Sequence, residues 1–383
     1  MKKVFAVLLA IGACLGIGYA TGWPASIFGS KAIAESSSPS TGEAAITGSP
    51  QSLADSGNAA EAAALLEKKV AEGNLAPSEW KLLARCYRSL GKADGEKGAW
   101  QGILDRHPQD AACGDALWGL GALSKEQGRS EEAVTYFEKA LDKHPLTEGG
   151  RRSGAELGDM YRAKGDRAKA RRAYSLALSG SSGGERERFK KALSELNAEI
   201  LAGAPAEDMV IHTVQPGDSL ARISVAYGTT VGMLKVVNRM EGNMIHPGQQ
   251  LKILKGEVRL EISKSRFLLT VFVGGVWFKE YSVAIGKDNA TPEREFEIMN
   301  KIENPPWHWK GKVIPPEDPE NILGTRWMGF KNKPGLQGFG IHGTRDPSSV
   351  PGAASKGCIR MKNEEVEDLF ELVPRGSKVI IRA

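Results

Sequence analysis

The chain has 383 residues, room for about two or three domains, and its 41% hydrophobic and 25% charged residues suit a protein built on ordinary cores. A net charge of +5 is too small at this length to argue for nucleic acid, although a mildly basic surface suits an anionic cell wall. Four cysteines do not make a disulfide scaffold.

After Met1-Lys2-Lys3 no charged residue appears until Lys31. A short basic start, the apolar run from Val4 to Ala13 and the small-x-small triplet Ala32-Ile33-Ala34 form the pattern of a secretory leader over residues 1–34. The same uncharged run is long enough to act as a membrane anchor, and Ile11-Gly12-Ala13-Cys14 has the form of a lipobox. Each reading exports the rest of the chain to the cell envelope. Residues 35–56 are rich in Ser, Ala, Gly, Pro and Thr, too poor in bulky apolar groups to fold, and a disordered linker is expected there.

Residues 57–201 are alanine-rich and repeat every 37 positions: Leu83, Leu120 and Leu157; Gly91, Gly128 and Gly165; Trp100, Phe137 and Tyr174. The period predicts helix pairs, with Ala84, Gly121 and Gly158 letting neighbours approach closely and Pro108 and Pro145 closing two units. The stretches 128–140 and 165–177 resemble tetratricopeptide repeats. That resemblance implies an all-α solenoid, stacked because one helix pair cannot bury its own apolar face. Phe189, Leu193, Leu196 and Ile200 lie at helical spacing and are expected to cap the stack. Such a stack is either a surface for a protein partner or a spacer. Cys86 and Cys113 fall in different units and are expected to be separate buried thiols.

Beyond a Gly-Ala-Pro joint, residues 209–254 read as strand, helix, helix, strand. His212 to Leu220 supplies a strand and a capped helix start, Ile223 and Tyr227 continue an apolar face, a second helix follows Thr230, and Leu251 to Ile253 closes the unit. This small βααβ segment resembles a LysM module. The resemblance implies binding to N-acetylglucosamine-containing glycan such as the peptidoglycan backbone, with no single sugar contact assigned.

From Glu257 the pattern turns to strands: Val258, Leu260 and Ile262 alternate with polar residues, and Gly274-Gly275 marks a hairpin turn. The proline-rich stretch from Asn304 to Pro319 cannot be a central strand, and is expected as a long loop or lid with Trp307 and Trp309 as wall residues. Asn363 is expected to cap a short helix, and Lys378 to Arg382 to form a last strand.

The chemistry lies in Ile341-His342-Gly343-Thr344 and Ser355-Lys356-Gly357-Cys358-Ile359-Arg360-Met361. Thiolate, not thiol, attacks carbonyls, and an imidazole can take the thiol proton. Glycines beside both groups let backbone amides approach as oxyanion donors, and the planar Arg360 fork suits a carboxylate. Taken alone, the pair is as well read as a buried structural cysteine with an unrelated histidine. The words around it, with Ala284-Ile285-Gly286-Lys287, Thr291-Pro292 and Asn304-Pro305-Pro306-Trp307, closely resemble the L,D-transpeptidase (YkuD) catalytic domain.

That resemblance implies a mainly-β domain at 257–383 in which Cys358 attacks an L,D-peptide bond of a peptidoglycan tetrapeptide stem and passes the acyl group to a second stem's amine. It makes His342 the base, the Gly343 carbonyl the third member of the triad, and Arg360, Ser355 and Gly357 the substrate side of the site. Water or a protein lysine as acceptor gives an L,D-carboxypeptidase or a wall-attachment enzyme. Loss of the chemistry altogether gives a non-catalytic peptidoglycan-binding scaffold. Two positions depart from the family: Lys356 stands where histidine is common, an ammonium expected to favour thiolate, and Arg294 replaces the glycine after Thr-Pro, which leaves that turn open. The six histidines are scattered, none at zinc-ligand spacing, and no metal or cofactor is expected.

Overall fold

A computed structural model describes residues 48–203 and 207–383. The leader at 1–34 and most of the expected linker lie outside the described residues, among which no single helix is long and apolar enough to cross a membrane. The described residues divide into two compact units, 48–75 with 82–99, and 76–81 with those from 100 onward.

In the first unit the end of the expected linker is helical. Ser49 accepts a hydrogen bond from the Ser52 amide and Pro50 occupies the first turn, so helix α1 runs Pro50–Asp55. The low apolar content of this stretch hid a capped start that buries Leu53. Helix α2 spans Ala59–Ala71, and α3 (Pro77–Ser89) and α4 (Ala93–Arg106) continue the chain.

The second unit carries α5 (Ala112–Glu126), α6 (Ser130–Lys143), α7 (Glu148–Ala163), α8 (Arg167–Leu178) and α9 (Gly183–Ala202). The 37-residue period has a steric origin. Gly128 and Gly165 end α5 and α7 at φ of +76° and +78°, a left-handed position that favours glycine. A Cβ at Gly121 or Gly158 would lie 2.5 or 2.4 Å from the rings of Phe137 and Tyr174, so each aromatic beds on a glycine of the preceding helix. Cys113 is a free buried thiol here, as is Cys86 in the first unit.

Helix α9 does not simply cap the stack. Phe189, Leu193 and Leu196 share a core with Phe272 and Trp277, some eighty residues further on, while Ile200 belongs to the core of the C-terminal sheet.

Strand β1 (Met209–Thr213), helices α10 (Leu220–Ala226) and α11 (Val231–Asn238) and strand β2 (Gln250–Leu254) form the βααβ unit, with Met209 antiparallel to Leu254. Ser219 and Thr230 cap the helices through their hydroxyls. Its own core is Val214, Leu220, Ile223, Leu234, Leu251 and Ile253. Tyr227 is not part of that face: it is exposed, edge-on to His212, with its hydroxyl 3.2 Å from His212 Nδ1. Met209, Met233, Val237 and Leu254 turn instead into the core of the next domain.

That domain holds β3 (Val258–Ser263), β4 (Leu268–Val273), β5 (Val276–Ser282), β6 (Ala284–Gly286), β7 (Glu295–Glu303), β8 (Trp307–Trp309), β9 (Lys312–Ile314), β10 (Arg326–Phe330), β11 (Gly340–His342), β12 (Gly352–Ser355), β13 (Ile359–Arg360), α12 (Asn363–Leu372) and β14 (Lys378–Arg382). Ten of these strands make one mixed sheet in the order β12-β6-β13-β11-β10-β7-β14-β3-β4-β5. Gly274 and Gly275, at φ of +59° and +80°, make the tight turn between β4 and β5.

The edge strand β5 is covered by the solenoid. The Trp277 amide donates to Ser175 Oγ at 2.7 Å, Asn197 donates to the Phe278 carbonyl at 3.1 Å, and Arg186 pairs with buried Glu280. A sheet edge is thereby kept from pairing with other chains. The proline-rich stretch is not an irregular loop: β8 and β9 form a separate hairpin, with Trp307 opposite Ile314.

Candidate active site

His342 ends β11, with Trp327 of β10 opposite it on one side and Arg360 of β13, in parallel register, on the other. Three central strands therefore fix its backbone, and the Trp327 indole stacks beside its ring at 6.0 Å between centroids. His342 Nδ1 lies 2.6 Å from the Gly343 carbonyl oxygen. A carbonyl only accepts, so Nδ1 carries the hydrogen and Nε2 is the basic nitrogen. Burial, helped by the Arg360 charge and opposed by the Gly343 carbonyl, pushes the imidazole pKa down to about 4. The ring is neutral at physiological pH.

Cys358 sits half-buried at the entry to β13, with Sγ 3.5 Å from the Gly338 carbonyl. Burial pushes its thiol pKa up, opposed by the Gly340 backbone and by Arg360. The resting pair is therefore neutral thiol and neutral imidazole. The cation acting on both is Arg360; Lys356 holds its ammonium 3.9 Å over the Trp309 ring instead.

The turn that carries the thiol is fixed by hydrogen bonds. Ser355 Oγ accepts from the Gly357 amide at 3.0 Å and donates to the Cys358 carbonyl at 2.6 Å. Thr291 Oγ1 accepts from the Gly286 amide and donates to the Gly357 carbonyl at 2.9 Å. Gly357 adopts φ of +134°, and a Cβ there would lie 2.8 Å from Phe339, so no other residue fits without a shift. The Ser355 hydroxyl braces the turn from a residue that also lines the cleft. The Gly357 and Gly343 amides are engaged, by Ser355 Oγ and the Arg326 carbonyl, and are not free oxyanion donors.

Asn363 is also differently used. It does not cap α12; its Oδ1 accepts from the Thr344 amide at 3.1 Å and the Thr325 amide at 3.3 Å, bracing the loop after His342. Arg294 is not among the positive-φ residues, so its position does not require a glycine.

A cleft of about 540 Å³ runs between these elements, lined by His342, Ser355, Lys356, Cys358 and Arg360 and walled by the hairpin with Trp307 and Trp309 stacked at 5.3 Å. Arg360 Nη1 donates to Ser349 Oγ at 3.1 Å, while its Nε is buried and, among the described residues, has no partner. Trp307, Trp309 and Trp327 line the cleft, and Thr291 and Asn363, which the sequence gives no role there, brace it from outside. No group of three or more His, Cys, Asp or Glu side chains among the described residues is placed to hold a metal.

The L,D-transpeptidase catalytic domain matches residues 257–381, the LysM domain residues 212–254 and a tetratricopeptide repeat residues 115–147. YqjB of Bacillus subtilis, named as an L,D-transpeptidase, is 43% identical over 131 residues, 33% of this chain and 73% of that protein. The L,D-transpeptidase YkuD of Bacillus licheniformis is 31% identical over 182 residues, 45% of this chain and 99% of its own. The chain belongs to the L,D-transpeptidase family. A solved L,D-transpeptidase from Mycobacterium smegmatis aligns with 36% of this transpeptidase and 64% of its own chain, at 20% identity and a TM-score of 0.29. With its LysM module, this L,D-transpeptidase is a peptidoglycan-related enzyme.

Proposed function

We propose that the enzyme is exported to the cell envelope, where LysM holds the N-acetylglucosamine-containing strand and Cys358 becomes acylated by a tetrapeptide stem. The carrying observation is the His342 ring, hydrogen-bonded through Nδ1 to Gly343 and sharing its cleft with Cys358. As Cys358 Sγ attacks the L,D-peptide carbonyl, its proton passes to His342 Nε2. The tetrahedral intermediate collapses, the carbon–nitrogen bond breaks, and the departing D-amino acid takes that proton, leaving a thioester. The acceptor amine attacks the thioester and His342 receives the amine proton; the carbon–sulfur bond breaks as the new amide forms, and return of that proton to the departing sulfur restores the thiol.

With the Gly357 and Gly343 amides engaged, the Cys358 amide is assigned to the oxyanion. Arg360, which lines the cleft, holds a stem carboxylate. Water or a protein amine at the second step would give an L,D-carboxypeptidase or wall attachment. The face of the solenoid away from β5 is assigned to a protein partner. Incubation of the full chain with a disaccharide-tetrapeptide, with and without an acceptor stem, tests the reading. Release of the terminal D-amino acid and a cross-linked product, both absent from Cys358→Ala, are expected. Release by Cys358→Ala, or no release at all, would show that the thiol is not the nucleophile or that the chain is a non-catalytic scaffold.

A further inference from the structure

The cleft carries more positive charge than the proposed chemistry uses. Lys356 and Arg360 stand two positions before and two after Cys358, both line the cleft, and no Asp or Glu is among its lining residues. Two cations in one concave site without a carboxylate leave a field that an anionic ligand would neutralise. The Lys356 ammonium is also held in place, 3.9 Å over a Trp309 ring that stacks on Trp307. A cation–π contact restrains a side chain that is otherwise long and flexible, so less freedom is lost when an anion arrives. The side of the ammonium away from the indole keeps its N–H donors.

We propose that Lys356 is a specificity-determining residue that pairs with a second carboxylate of the donor stem, beyond the one assigned to Arg360. The enzyme thereby selects stems whose side carboxylates are free over stems in which the same group is a carboxamide. The inference rests on the proposed function of the cleft. A carboxamide has nearly the shape of a carboxylate but no net charge, so the discrimination comes from the ammonium and not from fit.

The test is the rate of acyl-enzyme formation, followed by intact mass spectrometry of the full chain. Two synthetic disaccharide-tetrapeptides serve, identical except for carboxylate or carboxamide on the acidic residue of the stem. The free acid is expected to acylate faster by roughly fivefold at low salt, as an ion pair open to solvent at the cleft mouth allows. The ratio should shrink as ionic strength rises, approach one in Lys356→Met and return in part in Lys356→Arg. A ratio of one in the native enzyme overturns the inference alone. So does a ratio that Lys356→Met leaves unchanged while both rates fall together, because that is the behaviour of a latch on the tryptophan hairpin. Acylation by neither peptide overturns the proposed function and this inference with it.

Discussion

The seam between α9 and β5 and the cleft around Cys358 both hold charged groups, in opposite ways. At the seam Arg186 and Lys190 face the acid Glu280, and on α8 the buried Arg171 faces Asp208. In the cleft Arg360 and Lys356 meet none. A buried pair whose members satisfy each other fixes how two elements dock, whereas cations without an acid beside the Cys358 thiol are oriented toward something that has yet to arrive. The seam also fixes the limits of the folding unit. Removing α9 would uncover Phe272 and Trp277 and leave Glu280 without Arg186.

The sharpest way to break this contrast is at the nucleophile. Cys358→Ala should lower stem acylation by at least about 10³-fold with an unchanged thermal midpoint, since the side chain is half-buried and its bond to the Gly338 carbonyl is weak. At the seam the effect should be reversed. Glu280→Ala leaves Arg186 buried without its acid and should cost about 3–5 kcal/mol in denaturant unfolding, much more than the double change Arg186→Met with Glu280→Leu. Equal losses in the two variants would mean that the pair does not hold the seam.

Gly357→Ala should lower acylation by roughly 10²-fold, because the added methyl at φ of +134° meets Phe339 and moves the thiol. Thr291→Val should cost about 1–3 kcal/mol, since it leaves the buried Gly286 amide and Gly357 carbonyl without the hydroxyl that joins them.

The smallest effect is in pH. The ordinary His pKa of 6.5 falls to about 4 in the folded enzyme, so acylation should hold its rate through pH 5 and fall only as pH nears 4. Over the same range the unfolded chain takes up the His342 proton first. The folded state therefore loses stability as pH drops from 6.5 toward 4, and this contribution to instability is absent above 6.5. A rate that halves near pH 6.5 would place the imidazole in water.

Much of this was legible in the residues. The 37-residue period survives because two units repeat one steric solution, an aromatic bedded on a glycine, at Phe137 on Gly121 and Tyr174 on Gly158. The words around His342 and Cys358 mark the site because the strands that carry them end at the cleft. What stayed hidden was the bracing between distant segments. Thr291 reaches Gly357 and Asn363 reaches Thr325, contacts with no local periodicity or spacing to announce them. Helix α9 reads as a solvent-facing cap because its apolar face at Phe189 and Leu193 does not name its partner, and that partner is β5. Asn363 reads as a helix cap because its type favours that role, but its side chain is drawn back to the amides beside Gly343.

The most direct test of the central claim is intact mass spectrometry of the full chain, with α9 in place, after incubation with a disaccharide-tetrapeptide. The expected result is one adduct, equal in mass to the stem without its terminal D-amino acid, mapped to Cys358 and absent from Cys358→Ser. An adduct on Cys86 or Cys113, or none on a chain shown to be folded, would contradict the account.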